Sequence, residues 1–267
     1  MKPYELKSKK AFDDLIARED YLVTQANVLA KSFGNLSSLE HKVLDYLFSY
    51  VQPNDSQDKV YSLNIANLLK YLGRNASGRN YEQVLRAVKG VHKGTALSLP
   101  IEVNGTRGIR FTYLLDHVDV FEDGKINFRF SRDIAPYVFK LKQQFYSFRL
   151  RELSLVKSKY SLSLLKLWNA HTMGVWKDYN NPRSLPPAAL ISGTLEEWEQ
   201  WMLGTDADGN TPHWPAGRFK QKALTVAINE LSTLYPYVQI SLETVMDGRK
   251  TAGYKVSFHP IHTQVPL

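Results

Sequence analysis

Five side chains between residues 218 and 229 could hydrogen-bond to the edges of DNA bases or to phosphates. Placed at about 100° per residue, they share one side of a helix whose opposite side is apolar. None of the five is acidic. Because Arg or Lys pairs with guanine and Gln with adenine, this surface is suited to reading a base sequence. The polar side consists of Arg218, Gln221, Lys222, Thr225 and Asn229, and the apolar side of Phe219, Ala223, Leu224, Ala227, Leu231 and Leu234.

A β-hairpin is predicted directly after this helix. Residues 238–243 alternate between apolar and polar side chains, as a half-buried strand does. Asp247-Gly248 is a turn signal, and alternation resumes over residues 254–258. Arg249 and Lys250 then lie at the turn, where they could hold phosphates. A helix that reads bases beside a basic hairpin is typical of a winged helix-turn-helix. The alternative is an ordinary α+β domain in which these basic residues are only solvated.

The same order of elements is predicted earlier, over residues 37–130. A capped helix, a short strand and a second helix precede an amphipathic helix at residues 81–92. A hairpin follows with an Asn104-Gly105 turn, and we interpret it as the wing of a first domain. The outward basic residues of the 81–92 helix and of this hairpin are candidate DNA contacts, with more weight on the DNA backbone: Arg86, Lys89, Lys93, Arg107 and Arg110.

The sequence therefore predicts an α+β fold with two tandem winged helix-turn-helix domains of similar architecture. The second half repeats the order through a helix that begins at Ser158 or Ser161 and another capped by Thr194. The predicted boundaries are an N-terminal arm (1–20), the first domain (21–144), a connector (145–157), the second domain (158–260) and a C-terminal tail (261–267). Within the first domain we expect a helix over residues 134–141, whereas the pattern over residues 21–32 fits either a strand or a short helix.

Composition limits the function classes. The chain has 267 residues, a formal net charge of +8 and no cysteine. The charge fits a polyanionic partner such as nucleic acid. The lack of cysteine excludes disulfides, thiol nucleophiles and cysteine metal sites, and it fits a reducing cytoplasm. No apolar run approaches the length of a membrane span, and no Gly-rich loop precedes a Lys-Ser pair, so we expect neither a membrane partner nor a bound cofactor or metal.

Two stretches of the sequence carry a family resemblance. One runs from Phe130-x3-Ile134-x-Pro136-Tyr137 through Leu141-Lys142-x2-Phe145 to Leu153-x4-Ser158-x-Tyr160-Ser161. The other runs from Gly217-Arg218-Phe219-Lys220 through Ala227-Ile228-Asn229-Glu230-Leu231 to Gly248-Arg249-Lys250. Together they resemble iteron-binding plasmid replication initiators over roughly residues 20–260. The acidic, Gly-containing loop at residues 206–210 and the segment Leu165-Lys166-Leu167 depart from the family pattern.

The resemblance implies two winged-helix domains without an enzymatic active site. It implies monomers that bind direct repeats at a plasmid origin and help to open the duplex, in the bacterial cytoplasm. It also implies dimers, joined through the first domain, that repress the protein's own gene. The partners implied are double-stranded DNA, a second copy, the host initiator and the replicative helicase. Lys220, within the second matching stretch, joins the candidate DNA contacts.

Two other functions remain open on the sequence. A rolling-circle nicking initiator would use a Tyr nucleophile near a Lys, as in Tyr137-x-x-Lys140. Its metal pair is only partly matched, by His117-Val118-Asp119 or by His259-x-x-His262. A dimeric winged-helix repressor without a replication role would have the same DNA-binding surface. If dimers occur, we expect the conformational switch in the first domain and the 145–156 connector.

Overall fold

The computed structural model describes residues 22–52, 54–139, 145–172, 184–206 and 210–261. The predicted N-terminal arm and all of the predicted tail except Ile261 lie outside these ranges. The first half contains, in order, β1 (Leu22–Ala26), a 3-10 helix (Asn27–Lys31), α1 (Ser38–Phe48), β2 (Tyr61–Asn64), α2 (Ile65–Tyr71), α3 (Gly78–Gly94), β3 (Ala96–Val103), β4 (Thr106–Tyr113), β5 (Leu115–Val120), β6 (Lys125–Phe130), a second 3-10 turn (Arg132–Ile134) and α4 (Ala135–Val138).

The second half begins with the predicted connector, which contains a strand and a short helix. The elements are β7 (Phe145–Arg149), α5 (Leu150–Leu155), α6 (Lys159–His171), β8 (Ala189–Thr194), α7 (Leu195–Leu203), α8 (Ala216–Phe219), a π-helical segment (Lys220–Leu224), α9 (Thr225–Leu234), β9 (Val238–Asp247) and β10 (Lys250–Pro260).

Helices α1, α6 and α7 each begin directly after a Ser or Thr residue whose side chain caps the helix N-terminus. Ser37 and Glu40 form a capping box at α1, because each side chain accepts a hydrogen bond from the other residue's backbone N–H. Thr194 and Glu197 form the same box at α7. Ser158 caps α6 through the N–H of Tyr160. These predicted helices are confirmed.

The two halves share one sheet topology. Both sheets have three antiparallel strands, in the orders β2-β6-β5 and β8-β10-β9. In each sheet the first strand along the chain pairs with the last, and the last pairs with the second. In each half a helix precedes the first strand, and two helical elements separate that strand from the second. The predicted α+β fold with two winged-helix arrangements is confirmed.

The wing assigned to the first domain was wrong. Among the described residues β3 and β4 pair only with each other, so this hairpin is an insertion before the sheet. The strands in the wing position are β5 and β6, joined by a turn at Gly124 (φ +80°) with Glu122 and Asp123 beside it. Apolar residues alternate without a break from β4 to Leu115, the first residue of β5. The sequence pattern therefore did not show that β4 ends at Tyr113. The wing position of the first domain is therefore acidic at its turn.

Three further elements differ from the predictions. Strand β8 was not predicted, since only Ile191 among its side chains is fully buried. The helix expected over residues 134–141 is described only as α4, four residues long. The predicted strand or helix over residues 21–32 is both, β1 followed by a 3-10 helix.

The two halves meet through backbone pairing, close approach and a buried ion pair. Strand β1 pairs antiparallel with β7 of the connector. A Cβ on Gly204, whose φ is +76°, would lie 2.1 Å from the backbone N of Asn35, so only glycine fits this approach. Lys166 of α6 places its Nζ 2.6 Å from Asp45 Oδ1 of α1, and both side chains are buried. Helix α6 therefore joins α1 to the second sheet.

Candidate nucleic-acid interface

Residues 216–234 form one continuous helix, which we call the recognition helix. Lys220 and Thr225, at the junctions of its three segments, both keep αR backbone angles. The core fixes the start of the helix, because the Tyr254 hydroxyl donates to Ala216 O at 2.7 Å. Trp198 Nε1 in turn donates to Tyr254 O at 2.8 Å. The recognition helix is thus fixed to the second sheet at its first turn.

The recognition helix presents the face that the sequence predicted. Its apolar side chains lie in the core, with Leu234 partly buried. Thr225 is half-buried, and the other predicted side chains are exposed: Arg218, Lys220, Gln221, Lys222 and Asn229. The structure therefore places all six predicted residues on one helix, and their polar side faces away from the core.

The π-helical segment changes how these side chains line up. In a regular α-helix two successive i,i+4 steps rotate a side chain by about 80°. A π turn uses more residues per revolution, so it reduces that drift. Arg218, Lys222 and Val226 lie before, within and after this segment, at four-residue spacing. They therefore form a row along the helix, beside a second row of Gln221, Thr225 and Asn229.

Arg218 has a partner that sequence reasoning missed. Its guanidinium carbon lies 4.6 Å from the ring centroid of Trp214, a cation–π contact. Trp214 is itself held, since its backbone N–H donates to Glu199 Oε1 at 2.7 Å. Glu199 is buried, and its other oxygen lies 2.9 Å from His213 Nδ1. The loop before the recognition helix thus orients Arg218 at the helix start.

The hairpin of β9 and β10 forms the predicted second wing. Arg249 and Lys250 are exposed at its tip, next to Gly248 with φ +57°. Neither forms an ion pair with a described residue. Lys220 Nζ donates to Thr244 Oγ1 of β9 at 3.1 Å, so the wing is bonded to the recognition helix. The recognition helix and the wing are therefore bonded to each other, and both carry exposed cations.

The first-domain candidates lie on two different elements. Arg86, Lys89 and Lys93 are exposed on α3, with Arg86 3.1 Å from the carboxylate of Glu82. Arg107 and Arg110 lie instead on the inserted β3–β4 hairpin. Arg107 is beside the turn, paired in register with Glu102. Arg110 lies within the strand, 2.7 Å from Asp133, so a carboxylate already neutralises part of its charge.

Glu230 links the recognition helix to the connector. Its two carboxylate oxygens accept hydrogen bonds from the backbone N–H groups of Lys157 at 2.7 Å and Ser158 at 3.0 Å. Burial opposes ionisation of Glu230, but these two bonds and the nearby Ser161 hydroxyl and Lys157 outweigh it and lower the pKa of Glu230. Such contacts join residues more than seventy positions apart, so no local pattern in the sequence could have shown them.

The described part of the chain contains only some of the residues considered for nicking chemistry. Tyr137 is half-buried on α4, whereas Lys140 and His262 lie outside the described ranges. His117 Nδ1 lies 2.9 Å from the Asp116 carboxylate, on a strand of the first sheet. Among the residues that the structure describes, no group of three or more His, Asp or Glu side chains could hold a metal ion.

No helix in the described ranges is long and apolar enough to cross a membrane.

The fold and this surface define a protein with two winged helices, the second of which carries a basic recognition helix and wing. A family model described as initiator replication protein, WH1, matches residues 22–169. That match covers more than half of the sequence, and the chain therefore belongs to the initiator replication protein family.

One solved structure shows the same fold. The chain is similar to the Pi initiator protein, solved in complex with iteron DNA, with a TM-score of 0.68 and 17% identity over 92% of this chain and 99% of that one. It is less similar to domains 2 and 3 of RctB, with a TM-score of 0.41 and 12% identity over 88% of this chain and 81% of that one. No curated protein matches the sequence. The likeness to the Pi initiator protein, at 17% identity, concerns the fold alone.

Proposed function

We propose that this protein is a plasmid replication initiator that binds direct repeats at the origin as a monomer. One observation carries the proposal: a recognition helix with an exposed polar, non-acidic face lies beside a basic wing, in a member of the initiator family. The similarity in fold to a protein solved with iteron DNA supports direct repeats as the target. Bound monomers would help to open the adjacent duplex and recruit the host initiator and helicase.

The side chains divide into two tasks in this proposal. Arg218, Gln221 and Lys222 would contact base edges in the major groove, where a bidentate pair contributes about 1–3 kcal/mol of discrimination. Arg249 and Lys250 would contact phosphates, which position the protein without reading sequence. Lys220, Thr225 and Asn229, on the same helix, would contact the same groove or the backbone beside it. The first-domain candidates would contact a neighbouring groove, mainly at the backbone: Arg86, Lys89, Lys93, Arg107 and Arg110.

Fluorescence anisotropy tests this proposal. The probes are a duplex carrying the direct repeats of the protein's own plasmid origin and a scrambled duplex of equal composition, each titrated over a range of salt. We expect tight binding to the repeats only, and loss of that preference in Arg218→Ala and Lys222→Ala. Arg249→Ala should instead weaken binding to both duplexes and reduce the salt slope by about 1.

Lys125→Ala is a matched control. Lys125 is an exposed cation on β6, paired with Asp123 and remote in sequence from the recognition helix. Its removal should leave the preference for repeats unchanged. Equal, salt-sensitive binding of the wild-type protein to both duplexes would leave only a general basic surface and would refute the proposal.

The same protein is proposed to dimerise through its first domain and to repress its own gene in that form. Support comes from the inserted hairpin, on which Ile109 (65% exposed), Phe111 (78%) and Tyr113 (48%) alternate along β4. Among the described residues β4 pairs only with β3, which leaves a strand edge available to a second copy. Phe111→Ser should reduce dimer formation in sedimentation velocity, whereas an unchanged dimer would place the interface elsewhere.

A repressor without a replication role is the alternative function. Both functions need the same DNA-binding surface, so binding measurements do not separate them. Replication of an origin plasmid supplied with the protein in a permissive host does. Colonies that depend on the intact gene support the initiator, and repression without replication supports the alternative.

A further inference from the structure

Val226 is an apolar side chain on a polar face. It is 40% exposed on the recognition helix, whereas Ile228, two residues later, packs against the core. Val226 does not belong to the described core or to the partly buried residues around it. Its neighbours on the exposed face are Lys222 and Asn229, both able to contact bases. Neither hydrophobic packing nor helix propensity accounts for a valine here, because β-branched residues are slightly unfavourable in helices.

The position of Val226 on the recognition helix determines which part of the DNA it could contact. It continues the row of Arg218 and Lys222, which the π-helical segment keeps aligned. If those two side chains enter the major groove, Val226 enters it one turn further along the helix. Its restricted side-chain torsion gives it a fixed apolar surface there.

The major groove offers such a surface one main partner. Base edges there carry hydrogen-bond donors and acceptors, and the apolar group among them is the C5-methyl of thymine. We propose that Val226 contacts the methyl group of one thymine in each bound repeat and thereby adds to sequence specificity. This inference rests on the proposed function, because it needs the recognition helix to lie in the major groove.

Replacement of thymine by deoxyuridine tests the inference, since it removes the methyl group and keeps every hydrogen-bonding group. The probe is the repeat duplex bound in the anisotropy experiment, with one thymine replaced at a time. For wild-type protein we expect one position at which replacement weakens binding about four-fold, as the loss of one buried methyl group predicts. Val226→Ala should bind the duplexes with and without that methyl group equally well. The effects of replacing other thymines should be the same as for the wild-type protein.

Two controls separate the possible results. Leu190→Ala removes another exposed apolar side chain, on β8, and should keep the wild-type pattern. Val226→Thr keeps one methyl group at the position and should keep part of the penalty. If repeat-specific binding persists but no penalty depends on Val226, the inference is overturned and the proposed function stands. If the wild-type protein shows no preference for repeats, both are overturned.

Discussion

The buried ion pair between α1 and α6 gives a sharp prediction about stability. Lys166 Nζ lies 2.6 Å from Asp45 Oδ1, with the two side chains 3% and 0% exposed. Lys166→Met keeps a long, flexible apolar side chain but removes the positive charge. The carboxylate of Asp45 then stays buried without the Lys166 cation beside it. The folded state must then hold a buried charge that the unfolded chain would expose to water.

The expected loss follows from that burial. Removal of one partner of a buried pair costs about 3–5 kcal/mol, a large share of a typical total of about 5–15 kcal/mol. Replacement of both partners by apolar residues is often close to neutral. We therefore expect the double variant Asp45→Leu/Lys166→Met to recover most of the stability that Lys166→Met loses.

Equilibrium urea unfolding measures Lys166→Met, Asp45→Leu and the double variant, followed by circular dichroism and by fluorescence of the buried Trp168 and Trp198. Arg86→Ala is the control, since it removes an exposed pair with Glu82 and should change the free energy of unfolding by less than about 0.5 kcal/mol. A loss below about 1 kcal/mol for Lys166→Met would refute the reasoning. So would a double variant as unstable as the sum of the two single variants.

Three further predictions follow from buried, close or stacked groups. Burial lowers the pKa of His41 well below its ordinary value, so the unfolded chain binds a proton first as pH falls. Stability should drop below about pH 6.5 by up to about 1.4 kcal/mol per pH unit, and His41→Gln should reduce that slope in urea unfolding. Gly204→Ala should lower the melting temperature more than Gly73→Ala in calorimetry; both glycines have positive φ, but a Cβ on Gly73 meets nothing within 4 Å. Trp214→Ala should weaken repeat binding about two- to five-fold and Trp214→Phe less, while equal affinity in anisotropy would show that Arg218 needs no aromatic support.

Much of the recognition surface was predictable because its signals are local. Six apolar positions recur at helical spacing over residues 219–234, and two capping pairs mark helix starts with Ser37 and Thr194. Asp247-Gly248 marks the wing turn for the same reason. Such patterns depend on neighbouring residues alone, so one sequence contains them.

The features that were missed depend on geometry or on distant residues. The wing of the first domain was misplaced because alternation does not show which strand pairs with which. The π-helical segment leaves the apolar spacing intact, so periodicity did not reveal it. Trp214 meets Arg218 through the course of a loop, and Glu230 meets the connector across the fold. The DNA contacts themselves remain predictions.

The connector contacts bear on how the first domain could influence DNA binding. Ser38 Oγ on α1 donates to Lys157 O, and the N–H of the same Lys157 donates to Glu230 of the recognition helix. Lys42 Nζ donates to Ser154 O at 2.8 Å. If the proposed self-association displaced α1, these bonds would have to break or the recognition helix would have to move. Because spatial contact alone does not establish coupling, a double-mutant cycle on repeat affinity is needed. Non-additive effects of Ser38→Ala and Glu230→Gln on repeat affinity would support coupling of α1 to the recognition helix through Lys157. Additive effects would exclude that coupling.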